Sequence, residues 1–350
     1  MESTQATEGL WSDRYKQSAY TDQASMRRLD HNLGRTSRGY PIDVRTPFFD
    51  EGEREVIQSL FKDRLGFTDY DELTHIDEKE LSKWGPYSIM LPWDERRDSL
   101  TSFRHQEFTG KMDVLDSAFN MVARLLPENG FRPMDLDTAV RSMPHGTLLG
   151  LGRMTSDEGY VPEYLQRAKK LESAKEIFPC VVGWRGQPQG LHEVPKQRLV
   201  WMFDHCETIL GLSILYPVLN RLRTLPGFCA WNSDLVVDEG ITELLNEAAS
   251  QGLTILSADY SGFDASVPYA MLEFAFDLLR HWFVPAADQR LSVLEEVFSS
   301  VPLVTPDGLF AERRGGVPSG SALTNLIDTL VNLGAGYYTA IRLGVRLHRR

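Results

Sequence analysis

Residues 1–45 carry scattered apolar positions and no sustained period, so the chain opens as a polar extension. Beyond Glu51 the spacing turns helical. In EREVIQSLFKDRL, Val56, Ile57, Leu60, Phe61 and Leu65 fall on one side. An acid-rich helical stretch is predicted near 70–84, and a loop at 93–97 after Pro92. MDVLDSAFNMVARLL (112–126) is an amphipathic helix that Pro127 and Gly130 bring to an end. Residues 144–160, with four glycines, read as a loop, and 161–178 as a helix with Lys and Arg on its outer face. CVVGW (180–184) is a short strand, 185–198 a loop with basic ends, and 199–222 and 239–250 are helical. LTILSA (253–258) has the character of a buried strand, and 267–283 of a helix. PLVTPDGLFAE (302–312) is a hairpin around Pro306, Asp307 and Gly308. A loop at 315–320 leads into a long helix, 321–345, with a break expected near Gly334 and Gly336. There are no internal repeats. The class is α+β, rich in helix.

Composition narrows this picture. With 350 residues the chain fits two or more domains, or one large lobed core. Its apolar runs fall far short of a membrane span, and MESTQATEGLWSDRYK lacks a signal-peptide core, so a soluble, non-secreted protein is expected. The three cysteines, Cys180, Cys206 and Cys229, are widely spaced and suggest reduced thiols rather than a zinc or disulfide framework. A net charge of −12 argues against a protein that coats nucleic acid. It is compatible with an enzyme that gathers its basic residues in one channel.

Two short strings concentrate the polar chemistry. In DYSGFDAS (259–266) a strand ends on one carboxylate, turns, and offers a second. Asp259 at a strand end suits a hard divalent cation, which binds through one or two carboxylates plus substrate phosphates. Gly262 allows the turn, Tyr260 and Phe263 anchor it, and Ser266 and Pro268 fit a cap and first turn. A lone Asp pair is more often a turn and cap device; two aromatics and two aspartates in fixed order exceed what a cap needs. In GGVPSGSALTNLID (315–328), Gly316, Pro318 and Gly320 shape a loop, and Ser319, Ser321 and Thr324 present hydroxyls at a helix start. Thr324 and Asp328, four apart, share a face. Leu323, Leu326, Ile327, Leu330 and Val331 cover most of that helix, so a plain surface helix is the weaker reading, and its buried polar groups need partners.

Together the strings resemble motifs A and B of viral RNA-dependent RNA polymerases, and GVPSGSALTNLIDTLVN resembles the picobirnavirus polymerases, with the partitivirus enzymes next. The resemblance extends upstream through KWGPYS (83–88), LGLGRMTSDEGY (149–160), GWRGQ (183–187) and KQRLVWMF (196–203). It implies a right-hand polymerase fold: an extension at 1–50, fingers at 51–250, and the first part of the palm at 251–350. It implies that Asp259, with Tyr260, binds the catalytic metal, and that Asp264 reads the ribose 2′-OH of the incoming nucleotide. Ser319, Gly320, Thr324 and Asp328 take the motif B contacts to sugar, nascent pair and template. Lys196 and Arg198, joined by Arg185, match the basic motif F that pairs with the triphosphate; taken on charge alone they are an ordinary solvated loop. Thr155 and Ser156 match the template-guiding motif G, and Arg313 and Arg314 are further candidates to line the channel. The implied cofactor is Mg²⁺ or Mn²⁺. The implied partners are RNA template and nascent strand, ribonucleoside triphosphates and the viral capsid protein, with no membrane, in the virion interior and host-cell cytoplasm.

The chain departs from the family at motif C: it contains no Gly-Asp-Asp, Ala-Asp-Asp or Ser-Asp-Asp. A chain that is an incomplete part of the enzyme, inactive alone, is therefore expected. Other readings stay open beside it. The chain could be a non-catalytic fragment that binds RNA, nucleotide or capsid. A reverse transcriptase is disfavoured by Asp264 and the 319–328 string. A metal-dependent hydrolase would have His281 as its one nearby extra ligand.

Overall fold

A computed structural model describes residues 22–39, 89–104, 107–146, 148–185, 197–311 and 313–345, with isolated positions between 52 and 63. The helices predicted near 51–65 and 70–84 fall largely or wholly outside these residues, and so does Lys196.

Within the extension lies a helix that its polar composition hid: α1, Gln23–Arg38. Asp22 caps it by accepting the Ser25 N–H at 2.7 Å. Leu29 buries against Met154, Val181 and Val304, and Arg28 donates to the Arg153 carbonyl at 2.8 Å. Tertiary contacts, rather than a long apolar stripe, hold this helix in place.

Residues 93–97, expected as a loop, form a helical turn, Trp93–Arg96, which runs into a 3₁₀ segment, Arg97–Phe103. Next come α2, Met112–Ala123, and α3, Leu136–Arg141. Helix α4, Val161–Ala174, departs from expectation on one face. Arg167 points inward, fully buried, and donates to Asp204 while stacking on Tyr164 and Phe178. A charge inside a helix pattern signals the outer face only when no buried counter-charge awaits it.

Strands β1, Cys180–Arg185, and β2, Arg198–Met202, pair antiparallel from Val181↔Met202 to Arg185↔Arg198. The run predicted as one helix over 199–222 therefore splits. LVWM is strand, and α5, His205–Leu222, starts after the Asp204 cap. A short apolar run does not choose between strand and helix by periodicity alone. Helix α6, Asp234–Gln251, begins five residues before the predicted start and stops at Gly252 in the left-handed region.

Residues 253–258 are not a strand. They run without a ladder partner among the described residues and are exposed, Leu256 at 83%. A strand exists only when a neighbour takes its backbone hydrogen bonds. Helices α7, Tyr269–Trp282, and α8, Asp288–Ser300, follow. The predicted hairpin forms as β3, Leu303–Thr305, and β4, Gly308–Phe310. β3 lies parallel to β1, giving the sheet order β2-β1-β3-β4.

The last helix, α9, Thr324–Leu343, is unbroken. A Cβ at Gly334 would sit 2.5 Å from the Phe119 ring, so this glycine permits the close crossing of α9 over α2 rather than a kink. One large core unites α2, α5, α7, α8, α9 and the inner face of the sheet. All three cysteines are free, with Cys180 and Cys206 buried. Among the described residues, no helix is long and apolar enough to cross a membrane.

Candidate functional site

The two polar strings meet. Residues 259–265 and Ser319 line a cavity of about 590 Å³ with Arg198 and Gln197 at the start of β2 and Ser99, Ser102 and Phe103 from the 3₁₀ segment.

The turn forms around Gly262, in the left-handed region at φ +59°, where a side chain would be strained. It leads into a single helical turn, Phe263–Ser266. Ser266 belongs to that turn, donating to the Phe263 carbonyl, and does not cap α7; Pro268 occupies the N-cap. Tyr260 and Phe263 pack ring to ring at 5.3 Å, but only Phe263 reaches the core, and Tyr260 stays 43% exposed. The anchoring expected of both is carried by one. Asp259 is exposed, its Oδ1 accepting the Tyr260 N–H at 2.9 Å. One carboxylate fits a share of a divalent cation's oxygen shell rather than the whole. Among the described residues, no group of three or more His, Cys, Asp or Glu side chains is placed to hold a metal.

Asp264 is half-buried and fixed from two sides. Its Oδ2 accepts the Ser319 hydroxyl at 2.5 Å, and its backbone carbonyl accepts the Val317 N–H at 2.6 Å. The 315–320 loop is in turn tied to β2, where the Trp201 N–H donates to the Ser319 carbonyl at 2.8 Å. Gly320 has φ +122°, and a Cβ there would lie 2.3 Å from the Trp201 carbonyl oxygen. No other residue lets the loop sit this close to the strand. Thr324 does not face the cavity: its hydroxyl donates to the Pro318 carbonyl at 3.1 Å and closes the loop onto α9. One turn on, Asp328 is partly buried and Oδ1 is enclosed without a hydrogen-bond partner. Burial, and then the neighbouring Asp264 carboxylate, push its carboxyl up to about 7.

The basic side of the cavity is narrower than expected. Arg198 is exposed and lines it. Arg185 is its direct partner in the β1–β2 ladder, so both side chains stand on one face. Arg313 is not a channel residue. It is buried at 4%, stacked 4.7 Å from the Trp201 ring, and donates to the carbonyls of Phe298 and Gly316. Burial lowers its pKa to about 10. Arg314 lies over Tyr269 and lines a separate cavity with Glu295 and Ser299. Thr155 and Ser156 sit in the loop before α4 and do not line the Asp259–Ser319 cavity. His281, at the end of α7, is also absent from its lining.

Ser99, Ser102 and Phe103 follow no motif, and Gln197 lies within KQRLVWMF without a role of its own there. Gln197 clasps the segment before Trp93, accepting the Leu91 N–H at 3.0 Å and donating to the Ile89 carbonyl at 2.6 Å.

A family model described as viral RNA-dependent RNA polymerase matches residues 74–345, more than half of the chain. The chain belongs to this family. A protein described as a potential RNA-dependent RNA polymerase of human picobirnavirus is 25% identical over 322 residues, covering 84% of this chain and 58% of that protein. The RNA-directed RNA polymerase of Cryptosporidium parvum virus 1 is 29% identical over 170 residues, 48% of this chain and 32% of that one. The chain thus spans at most about three fifths of these two relatives. Crystal structures of a human picobirnavirus RNA-dependent RNA polymerase and of its insertion-loop deletion mutant superpose with TM-scores of 0.69 and 0.70. They cover 90% of this chain and 63% and 65% of theirs, at 22% identity. The polymerase likeness therefore includes the right-hand fold.

Proposed function

We propose that this chain provides the nucleotide-selecting side of an RNA-dependent RNA polymerase active site, serving replication and transcription of an RNA virus genome. The hydrogen bond from Ser319 to Asp264 carries this reading, because it joins motifs A and B on the wall of a cavity that also holds Asp259 and Arg198. With the Ser319 proton given to Asp264, the pair presents acceptor lone pairs that complement the donor side of a ribose 2′-OH.

Arg198, with Arg185 opposite it, would neutralise the triphosphate and the leaving pyrophosphate. Two arginines directly opposed in a ladder repel one another, and an anion between them relieves that cost. Asp259 and the Tyr260 carbonyl would hold a divalent cation, Mg²⁺ or Mn²⁺. Such cations, when bound, lower the pKa of the attacking primer 3′-OH and stabilise charge at the α-phosphate. In this reading residues 51–250 are fingers and 251–350 part of the palm, facing template and nascent RNA. Capsid protein is the remaining candidate partner.

A second reading has its own support. Asp259 stands alone as a metal carboxylate at an exposed position, and no three-membered cluster joins it among the described residues. On this reading the chain by itself binds nucleotide without polymerising it. The test of the main proposal is ribonucleotide incorporation by the protein of the whole open reading frame that contains this chain, with and without divalent cation. Asp259→Ala should lower incorporation by at least ~1000-fold, on the order of 4 kcal/mol in barrier. Incorporation by Asp259→Ala at the parent rate would overturn the proposal.

A further inference from the structure

Glu207 is a buried carboxylate that no part of the nucleotide-binding reading uses. It lies in the first turn of α5, 3% exposed, three residues after the Asp204 cap. That spacing fits a capping box, in which the third residue reaches back to the cap's own N–H. Glu207 instead reaches away from its helix. Its Oε1 accepts the Ser321 hydroxyl at 2.6 Å. The Ser321 hydroxyl in turn accepts the Leu323 N–H at 3.1 Å.

We propose that Glu207 is a positioning residue for nucleotide selection: from beneath, it holds the 315–323 loop so that the Ser319 hydroxyl meets Asp264. The inference rests on the polymerase reading. The loop is also fixed by Trp201 N–H to the Ser319 carbonyl, Gly316 N–H to the Val267 carbonyl, Val317 N–H to the Asp264 carbonyl, Gly315 N–H to the Ser299 carbonyl and the Arg313 guanidinium to the Gly316 carbonyl. All of these lie at or before Ser319. Glu207 supplies the side-chain anchor after it, so Ser319 is held between β2 and α5.

Energetics favour this role over a purely structural one. A buried carboxylate is costly, and Oε2 is enclosed without a hydrogen-bond partner. The cost of burying the carboxylate opposes the cost of stranding the buried Ser321 hydroxyl without it, so stability alone gives weak reason for glutamate here, whereas aiming a loop gives a direct one.

The experiment compares Glu207→Met, which keeps volume and removes the acceptor, with Glu207→Gln, which keeps one acceptor oxygen. Amide exchange of Val317 and Leu323 is read in this chain. Discrimination between ribo- and 2′-deoxyribonucleoside triphosphates, as a ratio of kcat/KM, is read in the protein of the whole reading frame. Glu207→Met should fold with a Tm close to the parent's, speed exchange at both amides by about tenfold or more, and lower the ratio at least about tenfold, the equivalent of one lost hydrogen bond to a charged group. Glu207→Gln should restore both. Parent-like exchange and discrimination in a folded Glu207→Met would overturn the proposal. So would an equal loss in Glu207→Gln. If the parent protein makes no RNA, the polymerase reading fails alone; faster exchange in Glu207→Met then still supports the anchor, and unchanged exchange overturns it.

Discussion

The Ser319 hydroxyl donates to Oδ2 of Asp264 at 2.5 Å, across 55 residues of sequence. Each partner has a hold of its own, Asp264 the turn at Gly262 and Ser319 the Trp201 N–H on β2, and the Val317 N–H to the Asp264 carbonyl ties the two segments together. The pair is thus preorganised, and neither side chain must find its place when a ligand arrives.

Removing the hydroxyl should therefore cost selectivity more than binding. In Ser319→Ala the ratio of ribo- to deoxyribonucleotide kcat/KM should fall roughly 10- to 100-fold, as expected for a hydrogen bond to a charged group worth about 1.5–3 kcal/mol. The KM for the deoxy substrate should change little. Parallel steady-state measurements on both nucleotides check this.

Arg198→Ala should raise the KM for every ribonucleoside triphosphate about tenfold or more, without regard to base, because a guanidinium–phosphate contact is charge-assisted. The effect should shrink as salt rises, since Arg198 is exposed. Substrate titrations at low and high ionic strength measure both trends.

Asp328 gives a pH dependence with a defined sign. Its carboxyl is raised to about 7 by burial and by Asp264, from an ordinary value near 3.8. Between roughly pH 4 and pH 7 the folded state holds this proton and the unfolded state does not. The contribution of Asp328 to stability is therefore fully present below pH 4 and is lost as pH rises to 7. Asp328→Asn removes the titration. Its Tm advantage over the parent should be larger at pH 8 than at pH 5, as read by thermal melts across that range.

The Arg167–Asp204 pair tests the body of the fold rather than its site. Both side chains are 1% exposed. Asp204→Ala strands the guanidinium and removes the α5 cap, so it should destabilise by about 3–5 kcal/mol and a further ~1 kcal/mol. Replacing both partners with apolar residues of similar volume should recover most of that loss. Denaturant unfolding of the single and double variants separates the two effects.

Sequence legibility followed the locality of the forces. The α2 and α7 helices carry their whole signal in an apolar stripe, and the β3–β4 hairpin carries its own in Pro306-Asp307-Gly308. The motif strings around Asp259 and Ser319 were legible for the same reason, and the cavity brings these two regions together. What depended on a distant partner was not legible. Helix α1 is held by Arg153 and Met154, more than a hundred residues away. Arg167 reads as a surface charge until Asp204 is seen beside it, and Arg313 reads as a channel residue until Trp201 covers it. Residues 253–258 have a strand's composition, but no neighbour among the described residues takes their hydrogen bonds. Glu207 is marked locally only by its capping-box spacing from Asp204, which says nothing of its partner; only the fold brings Ser321 to it.

The most direct measurement is the affinity of this chain for a ribonucleoside triphosphate and its 2′-deoxy counterpart, with divalent cation present, in the parent and in Ser319→Ala. A cavity that reads the 2′-OH through Asp264 and Ser319 predicts tighter binding of the ribonucleotide by the parent, and a preference reduced about tenfold or more in the variant, the equivalent of at least ~1.4 kcal/mol. Equal affinity of the parent for the two nucleotides, or an unchanged preference in Ser319→Ala, would contradict that role for the pair.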